Sequence, residues 1–464
     1  MSATPIATDT ESRDANARRH LWGHFTRLGS VQRNGYPVIA RGEGPYVWDQ
    51  NGKKYLDGLS GLFTVNIGHG RRELADAAHD QMSKLSYFPL WNYATEPAID
   101  LAKWLADHAP GDLNRVFFAA GGSEAVESAW KMAIQYFRMI GQPQRRKVIS
   151  RDYAYHGTTM GALSITGVPG LRENFEPLFR EAIKVRNTNH YRCVVCSNQT
   201  SCTLDCADDI ERKIIEAGPE TVAMVILEPM QNTGGALVPP EGYWQRARQI
   251  CDKYGILLVS DEVICAFGRL GHFFGADRFG YQPDMITFAK GVTSGYAPLG
   301  GVIASDRIAA PFIEEPTATF QHGITFAGHP VSSAVALANV KIMEDEDING
   351  NVLRHEPMFT DMMKTLGELP IVGDVRGCGY FHVLELVRDK DTKETFTREE
   401  CEWLLRGVLS PHFFKSGLIC RADDRADPVV VLAPTLICGE EEIGFIGNVL
   451  HDGLTEAWRQ YQLR

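Results

Sequence analysis

The sequence predicts an α/β protein whose main sheet is largely parallel. Between residue 73 and about residue 301, short apolar runs alternate with helical patterns, which is typical of a sheet covered by helices on both faces. Two of these runs, residues 256–260 (ILLVS) and 285–289 (MITFA), are almost uniformly apolar, as strands buried on both faces are. The chain of 464 residues is long enough for two domains with a substantial core.

Composition and charge argue against several classes of protein. The net charge of −11, from 47 Lys and Arg against 58 Asp and Glu, argues against a nucleic-acid partner or an anionic membrane surface. No apolar run approaches the roughly 18 residues of a membrane span, and the polar residues 1–20 lack the apolar segment of a signal peptide. We expect residues 1–20 to be a disordered extension. Ten cysteines without secretory features fit a reducing compartment, so we expect a cytoplasmic protein.

The segment before the sheet contains a predicted helix and a predicted hairpin. Residues 22–25 (WGHF) indicate a short helix. Residues 42–49 followed by Asn51-Gly52 indicate a β-hairpin, because Asn-Gly suits a tight two-residue turn.

Within the alternating region, a strand at residues 116–119 leads through Gly121-Gly122-Ser123 into a helix with apolar residues at helical spacing. Ser123 can cap this helix, and the free amides beside it form a ready anion site. Read alone, the motif is no more than a helix start. Later strands are predicted at residues 147–150 and 221–227, and a long helix at residues 331–343.

Two of the buried strands end in groups of complementary chemistry. Asp261 follows the first uniformly apolar run and Lys290 follows the second. Ligands of open α/β sheets bind outside the carboxyl ends of the strands, so both side chains should face one crevice. Such a pair suits pyridoxal phosphate, with the lysine in a Schiff base and the aspartate against the pyridinium nitrogen. At about 4 Å and an effective dielectric near 20, that contact gains ~4 kcal/mol, or roughly 3 pKa units. A buried salt bridge without cofactor is the alternative interpretation.

The surrounding motifs resemble the class III (ω-) aminotransferases. The resemblance extends from about Gly42 to the last helix and implies pyridoxal 5'-phosphate, the aspartate-aminotransferase fold (pyridoxal-phosphate fold type I) and a smaller α+β domain. The motifs that carry it, in order and spacing, are Asp261-Glu262-Val263, Phe267-Gly268-Arg269, Gly271, Pro283-Asp284 and Lys290-Gly291.

The resemblance also implies a role for individual residues around the cofactor. Lys290 and Asp261 would be catalytic, and Gly122 with Ser123 would hold the phosphate. Tyr155 would stack on one face of the pyridoxal ring, with Val263 on the other. Further residues implied at the cofactor are His156, Glu228 and, from the partner across a dimer interface, Thr325. His156 is more simply read as a structural residue, because Lys290 already supplies the proton shuttle.

Substrate contacts are implied for three more residues. Phe25 and Phe63 occupy aromatic positions that contact the side chain of the amine, although both could simply pack in the core. Arg421 would clamp the carboxylate of a keto acid and swing aside for amines, since its planar fork binds carboxylates bidentately. Arg425 competes for that role, and a surface ion pair with the neighbouring aspartates is the alternative for Arg421. Phe63 stands where the amine–pyruvate branch more often has tryptophan, which leaves the substrate range open.

Cys193, Cys196, Cys202 and Cys206 lie within 14 positions. Four such thiols could hold zinc tetrahedrally. Their spacing differs from that of common zinc ribbons and fingers, so we favour a thiol-rich surface loop and no metal.

These observations together predict an aminotransferase that moves an amino group from an ω-amino acid or primary amine to pyruvate, giving alanine. We expect a homodimer with shared active sites, or a tetramer built from it. A decarboxylase or aminomutase of the same fold is the alternative enzyme, and a metal-binding scaffold is the alternative of another class. The amine donor stays open among beta-alanine, taurine, a diamine and an arylalkylamine. The expected segments are an extension at 1–20, small-domain parts at 21–72 and 341–464, and a large cofactor-binding domain at 73–340.

Overall fold

The computed structural model describes residues 10–197, 199 and 202–464. The strands in chain order are β1 (Ile39–Glu43), β2 (Tyr46–Asp49), β3 (Lys54–Asp57), β4 (Leu113–Ala119), β5 (Lys147–Arg151), β6 (Ala182–Val185), β7 (Val222–Leu227), β8 (Leu257–Asp261), β9 (Met285–Phe288), β10 (Gly300–Ser305), β11 (Val372–Cys378), β12 (Phe381–Leu386), β13 (Leu418–Ile419), β14 (Arg421–Asp423) and β15 (Val429–Leu432).

Helices flank these strands along the whole chain. In chain order they are α1 (Thr10–His20), α2 (Leu28–Asn34), α3 (Ser60–Phe63), α4 (Arg72–Lys84), α5 (Glu96–His108), α6 (Gly122–Met139), α7 (Met160–Ile165), α8 (Pro169–Arg172), α9 (Asp205–Ala217), α10 (Tyr243–Tyr254), α11 (Gly275–Phe279), α12 (Asp306–Glu314), α13 (Pro330–Asp345), α14 (Ile348–Gly367), α15 (Arg398–Cys401), α16 (Ser410–Lys415) and α17 (Glu440–Tyr461). A π-helical stretch, Glu402–Leu409, connects α15 to α16. None of the helices in the described ranges is long and apolar enough to cross a membrane.

The central sheet has seven strands in the order β4-β10-β9-β8-β7-β5-β6. Strands β5 to β9 run parallel to one another, whereas β10 is antiparallel to both β4 and β9. All six residues of β7 and all five of β8 are buried, as expected for strands covered on both faces. The prediction of a mainly parallel sheet is therefore confirmed.

Helices cover the two faces of this sheet through alternate residues of the same strands. On one face, Val126, Ala129 and Ala133 of α6 belong to a core cluster with Met224 and Ile226 of β7. On the other face, residues of α9 and α10 pack with Val225 and Leu227 of the same strand. The alternation of side chains along β7 thus lets one strand anchor both helical layers.

Two four-stranded sheets accompany the central one, with orders β1-β2-β3-β13 and β11-β12-β15-β14. In the first sheet, β13 pairs in parallel with β3 and so joins chain segments about 360 residues apart. This sheet thus combines strands from both ends of the chain, whereas the domain segments given above stay a prediction.

The N-terminal region departs from two expectations. Residues 10–20 form α1 rather than a disordered extension, whereas residues 1–9 of the expected extension lie outside the described residues. Arg18 forms an ion pair with Asp14, and its guanidinium also donates to Val31 O and Gln32 O. Residues 22–25 lie between α1 and α2 and are not helical. Trp22 and Phe25 are exposed there, so a helix would bury no apolar face.

The predicted hairpin is present between β2 and β3, with a loop one residue longer than expected. Asp49 N donates to Lys53 O at 3.0 Å, which closes a three-residue loop. The side chain of Asp49 sets this length, because its Oδ1 accepts from the backbone N–H groups of both Asn51 and Lys53.

Candidate active site

A cavity of about 1200 Å³ lies at the carboxyl ends of the parallel strands, where the smaller domain meets the central sheet. The loops after β5, β7, β8 and β9 and the beginning of α6 each contribute to its wall. The predicted site residues that line it are Phe25, Phe63, Gly122, Ser123, Tyr155, His156, Glu228, Asp261, Val263, Lys290, Arg421 and Arg425. One chain therefore brings together all of the predicted residues except Thr325.

Lys290 stands immediately beyond β9, at the first position of a short 3₁₀ turn. Its φ of +46° is unusual for a residue with a side chain and indicates that the surrounding packing holds this conformation. A Cβ on the following Gly291 would meet Asn66 Nδ2 at 2.4 Å, so only glycine fits beside the lysine. Burial lowers the pKa of Lys290, while the carboxylates of Asp261 and Glu228 act in the opposite direction. A lowered pKa favours the neutral amine, which is the nucleophilic form.

Asp261 is the last residue of β8, and its carboxylate is held on both oxygens. The imidazole Nδ1 of His156 donates to Oδ2 at 2.6 Å, and Thr287 Oγ1 and Val263 N donate to Oδ1 at 3.1 and 3.2 Å. His156 is itself buried and its backbone N–H donates to Thr166 Oγ1. His156 thus holds Asp261 in position through this hydrogen bond, while its role at the cofactor stays a prediction.

The beginning of α6 offers backbone amides to the cavity. A Cβ on Gly121 would meet no atom within 4 Å, so the backbone is open there, whereas a Cβ on Gly122 would lie 2.9 Å from Val263 Cγ1. Ser123 does not cap the helix as predicted. Gly121 is the N-cap, and Ser123 lies in the first turn, where its Oγ accepts from Thr158 N at 3.2 Å. Uncapped amides at the start of an 18-residue helix suit a phosphate.

Glu228 and Tyr155, which both line the cavity, are joined by a hydrogen bond. Glu228 is buried and accepts from Tyr155 N at 3.2 Å and from Asn232 N at 2.9 Å. Burial raises the pKa of both side chains. These contacts fix the loop that carries the Tyr155 ring beside the cavity.

The two aromatic residues predicted to contact substrate differ in exposure. Phe63 is 2% exposed and packs on Phe381 with ring centroids 5.2 Å apart. Phe25 is 74% exposed at the rim of the cavity. Phe63 therefore combines a core contact with a place in the cavity wall, and core packing is excluded as the role of Phe25 within this chain.

Arg421 and Arg425 share one carboxylate. Arg421 and Asp423 lie two residues apart on β14, on the same face of the strand, and Arg421 Nη2 donates to Asp423 Oδ2 at 2.5 Å. Arg425 Nη2 donates to the same oxygen at 2.5 Å. Burial lowers the pKa of Arg421 and raises that of Asp423, so this is a largely buried cluster rather than the surface ion pair considered as an alternative.

Thr325 lies outside the cavity, exposed on the segment before α13, where Tyr87 OH donates to its carbonyl at 2.7 Å. Its predicted role concerns the site of a partner subunit, and that role stays a prediction.

Three polar residues at the mouth of the cavity were not anticipated from the sequence. Arg406 donates to both oxygens of Asp424 at 2.8 and 2.7 Å, and Arg27 donates to both oxygens of Glu402. Arg27, Arg406 and Asp424 all line the cavity. The partners Arg27 and Glu402 are separated by 375 positions, so no local pattern could have revealed their contact.

The four clustered cysteines are free thiols. Cys196 Sγ lies 3.7 Å from Cys202 Sγ and 3.6 Å from His190 Nδ1. Over residues 10–197, 199 and 202–464, no group of three or more His, Cys, Asp or Glu side chains is arranged to hold a metal ion. The zinc interpretation therefore has no support in this part of the molecule.

The family model described as aminotransferase class-III matches residues 30–454. The chain belongs to the class III aminotransferases. Enzymes of this family use pyridoxal phosphate, and the lysine, the held aspartate and the open amides described above fit that cofactor. The resemblance, fold type and cofactor predicted from the sequence are thus confirmed.

Similar proteins extend over almost the full length of this class III aminotransferase. A probable aminotransferase of Mycobacterium tuberculosis is 54% identical over 96% of this chain and 94% of its own length. The putrescine–pyruvate aminotransferase of Pseudomonas aeruginosa is 38% identical over 96% of each chain. The crystal structure of an (S)-enantioselective omega-transaminase from Thermomicrobium roseum superposes with a TM-score of 0.92 at 41% identity, covering 97% of this chain and 99% of that one.

Proposed function

We propose that this aminotransferase moves the amino group of a primary amine or ω-amino acid to pyruvate and releases alanine. The observation that carries the proposal is that Phe63 and Arg421 lie together in the wall of the cavity that also contains Lys290. The guanidinium Cζ of Arg421 is 5.6 Å from the centre of the Phe63 ring. An apolar side chain and a carboxylate can therefore be received in the same part of the cavity, as two alternating substrates require. The relative named putrescine–pyruvate aminotransferase supports pyruvate as acceptor.

Pyridoxal phosphate supplies the electron sink that stabilises negative charge at the reacting carbon of the substrate. The residues of this chain bind and orient that group. We assign the phosphate to Gly122 and Ser123, and Tyr155 and Val263 would hold the ring. Asp261, held by His156, would favour the protonated form of the ring nitrogen. Glu228 fixes the Tyr155 loop.

Lys290 carries the proton transfer in this proposal. In the first half-reaction its neutral amine would take a proton from the reacting carbon of the amine donor, and in the second it would give a proton to the carbon that was the keto carbon of pyruvate. Arg421 pairs with the carboxylate of pyruvate, and Phe25 and Phe63 contact the side chain of the donor. We further propose a cytoplasmic homodimer in which Thr325 reaches the phosphate of the partner subunit.

A donor screen tests this function. Purified enzyme is incubated with pyruvate and either beta-alanine, taurine, putrescine or 1-phenylethylamine, and alanine is measured together with carbon dioxide. We expect alanine to form with at least one donor and to be absent with Lys290→Ala. Release of carbon dioxide without alanine, or internal movement of the amino group without an acceptor, would instead identify a decarboxylase or an aminomutase.

A further inference from the structure

The arginines that line the cavity are unequally matched with carboxylates. Arg406 has a bidentate partner in Asp424, and Arg27 has one in Glu402. Arg421 and Arg425 instead share the single carboxylate of Asp423, whose Oδ2 is 2.5 Å from a nitrogen of each. This corner of the cavity therefore holds two guanidinium groups against one carboxylate.

Arg421 has unused hydrogen-bonding capacity at this corner. Its Nε is buried and has no hydrogen-bond partner, although its Nη2 is engaged by Asp423. A buried donor without a partner is costly, and an arginine that turns to bind a carboxylate bidentately engages two of its nitrogens at once. Arg425 is more completely bound, since Asp423 also accepts from its Nε and from its backbone N–H. When a keto acid binds Arg421, its carboxylate and that of Asp423 would together balance the charges of Arg421 and Arg425.

We propose that Asp423 is a specificity-determining residue that sets the balance between keto acid and amine. Its carboxylate neutralises Arg421 while an amine without a carboxylate occupies the cavity, and it competes with the substrate carboxylate for the same guanidinium. Asp423 repels the carboxylate of the keto acid and occupies the guanidinium of Arg421, so it weakens binding of the acceptor. Because it shields an apolar donor from two unmatched positive charges, it strengthens donor binding. This inference rests on the proposed assignment of Arg421 to the acceptor.

The variant Asp423→Asn tests the proposal, because it removes the charge and keeps the shape and one acceptor oxygen. In the two half-reactions, followed separately by stopped-flow absorbance of the holoenzyme, we expect the KM for pyruvate to fall at least ~10-fold (about 1.4 kcal/mol). We expect kcat/KM for 1-phenylethylamine to fall by a similar factor. Acetaldehyde, which has hydrogen in place of the carboxylate of pyruvate, should gain no affinity.

Three further variants separate this role from a structural one. Asp423→Glu keeps the charge, so its KM for pyruvate and its kcat/KM for 1-phenylethylamine should both be close to the wild-type values. In the Arg421→Ala background, Asp423→Asn should no longer lower the KM for pyruvate. Glu346→Gln removes a carboxylate that also binds an arginine bidentately, Arg71, but lies away from the cavity, and should leave both half-reactions unchanged.

A lower KM for pyruvate together with a lower kcat/KM for the amine supports the proposal, because the variant then binds the acceptor better and uses the donor less well. Parallel losses, a raised KM for pyruvate, or no change overturn it. The proposed function is tested separately by alanine formation in the wild-type enzyme. Alanine formation together with parallel losses in Asp423→Asn would leave the function standing and refute only the role of Asp423.

Discussion

Lys290 combines a buried amine, a left-handed backbone and two nearby carboxylates, and these features distinguish it chemically from a surface lysine. We expect it to carry the cofactor covalently. Reduction of the holoenzyme with borohydride followed by peptide mapping should place the pyridoxyl label on Lys290. Lys131, Lys147 and Lys184 serve as internal controls within the same digest, and a label on any of them would refute the assignment.

Asp261 should contribute to turnover through its charge. In Asp261→Asn, the hydrogen bonds from Thr287 and Val263 can persist on the remaining oxygen, but a neutral amide no longer favours a protonated ring nitrogen. We expect the variant to retain cofactor and to lose at least ~100-fold in both half-reactions, if most of the ~4 kcal/mol acts in the transition state. Cofactor absorbance and single-turnover rates measure the two properties independently. Rates close to wild type would show that Asp261 only holds His156.

Arg421 and Arg425 can be separated by alanine substitution. Removing the guanidinium of Arg421 should cost roughly 2–4 kcal/mol in kcat/KM for pyruvate, the scale of a broken charge-assisted pair. The amine half-reaction should change by less than about tenfold. Equal losses in the two half-reactions would make Arg421 structural. A pyruvate-selective defect in Arg425→Ala would transfer the role to that residue.

At the scale of elements, Lys184 of β6 ties this edge strand to β5 and α7. Its Nζ donates to Ser150 Oγ, Ser164 O and Ile165 O at 2.9, 3.0 and 2.6 Å. Burial lowers the pKa of Lys184 to about 7. Between this value and its ordinary 10.5, the folded protein binds fewer protons at this site than the unfolded chain, so the free energy of unfolding should rise with pH.

Lys184→Met should remove that pH dependence along with the three hydrogen bonds. In urea unfolding from pH 7 to pH 10, we expect the wild type to gain stability relative to the variant, by at most about 1.4 kcal/mol per pH unit. Lys213→Met, at a half-buried position of α9 where Lys213 pairs with Glu216, is the matched control and should follow the wild type. A constant difference between wild type and Lys184→Met would contradict a lowered pKa.

The sequence indicates elements well where burial alone determines them. Strands β7, β8 and β9 were predicted within one residue at each end, because uninterrupted apolar runs are incompatible with exposure. The N-terminal region was predicted less well. In helix α1, none of residues 13–20 is buried, so no apolar face marks this part of the helix in the sequence. The helix is held by contacts from Arg18 to residues 13 and 14 positions away.

In the cavity, too, some residues could be predicted from the sequence and others could not. Lys290 and Asp261 could be found because strand ends converge, whatever the details of the loops. The sharing of Asp423 by two arginines, and the pairing of Arg27 with Glu402, depend on side-chain geometry and on contacts between distant segments. Ser123 was misassigned for a related reason. The N-cap is Gly121, two positions before Ser123, and the sequence alone does not show at which residue the helix begins.

At the scale of the whole molecule, Arg269 connects segments from the N-terminal and C-terminal parts of the chain. Fully buried, it donates to Ser60 Oγ and Asn66 Oδ1 in the N-terminal part, and to Tyr380 O and Pro434 O in the C-terminal part. These four acceptors replace the water that a buried guanidinium would otherwise lose. The loop between β8 and β9 is therefore connected to the N-terminal and C-terminal parts of the chain, whereas Thr325 is exposed.

Thr325 should make the assembly of two subunits necessary for full activity. If the partner subunit supplies Thr325 to the phosphate, each active site needs Lys290 from one chain and Thr325 from the other. Lys290→Ala and Thr325→Ala homodimers should each be impaired, Lys290→Ala completely. Mixing and reassembling them should restore one site per hybrid dimer that has both residues intact.

The expected recovery is about one quarter of wild-type activity from an equal mixture, since half of the dimers are hybrids and each holds one complete site. Native mass spectrometry measures the fraction of hybrids, and alanine formation measures the activity of the same sample. Thr317→Ala in place of Thr325→Ala is the control for a threonine outside the proposed contact, and its homodimer should be active without mixing. Hybrids that form without any recovery would show that Thr325 acts within its own chain, and this would refute the shared site.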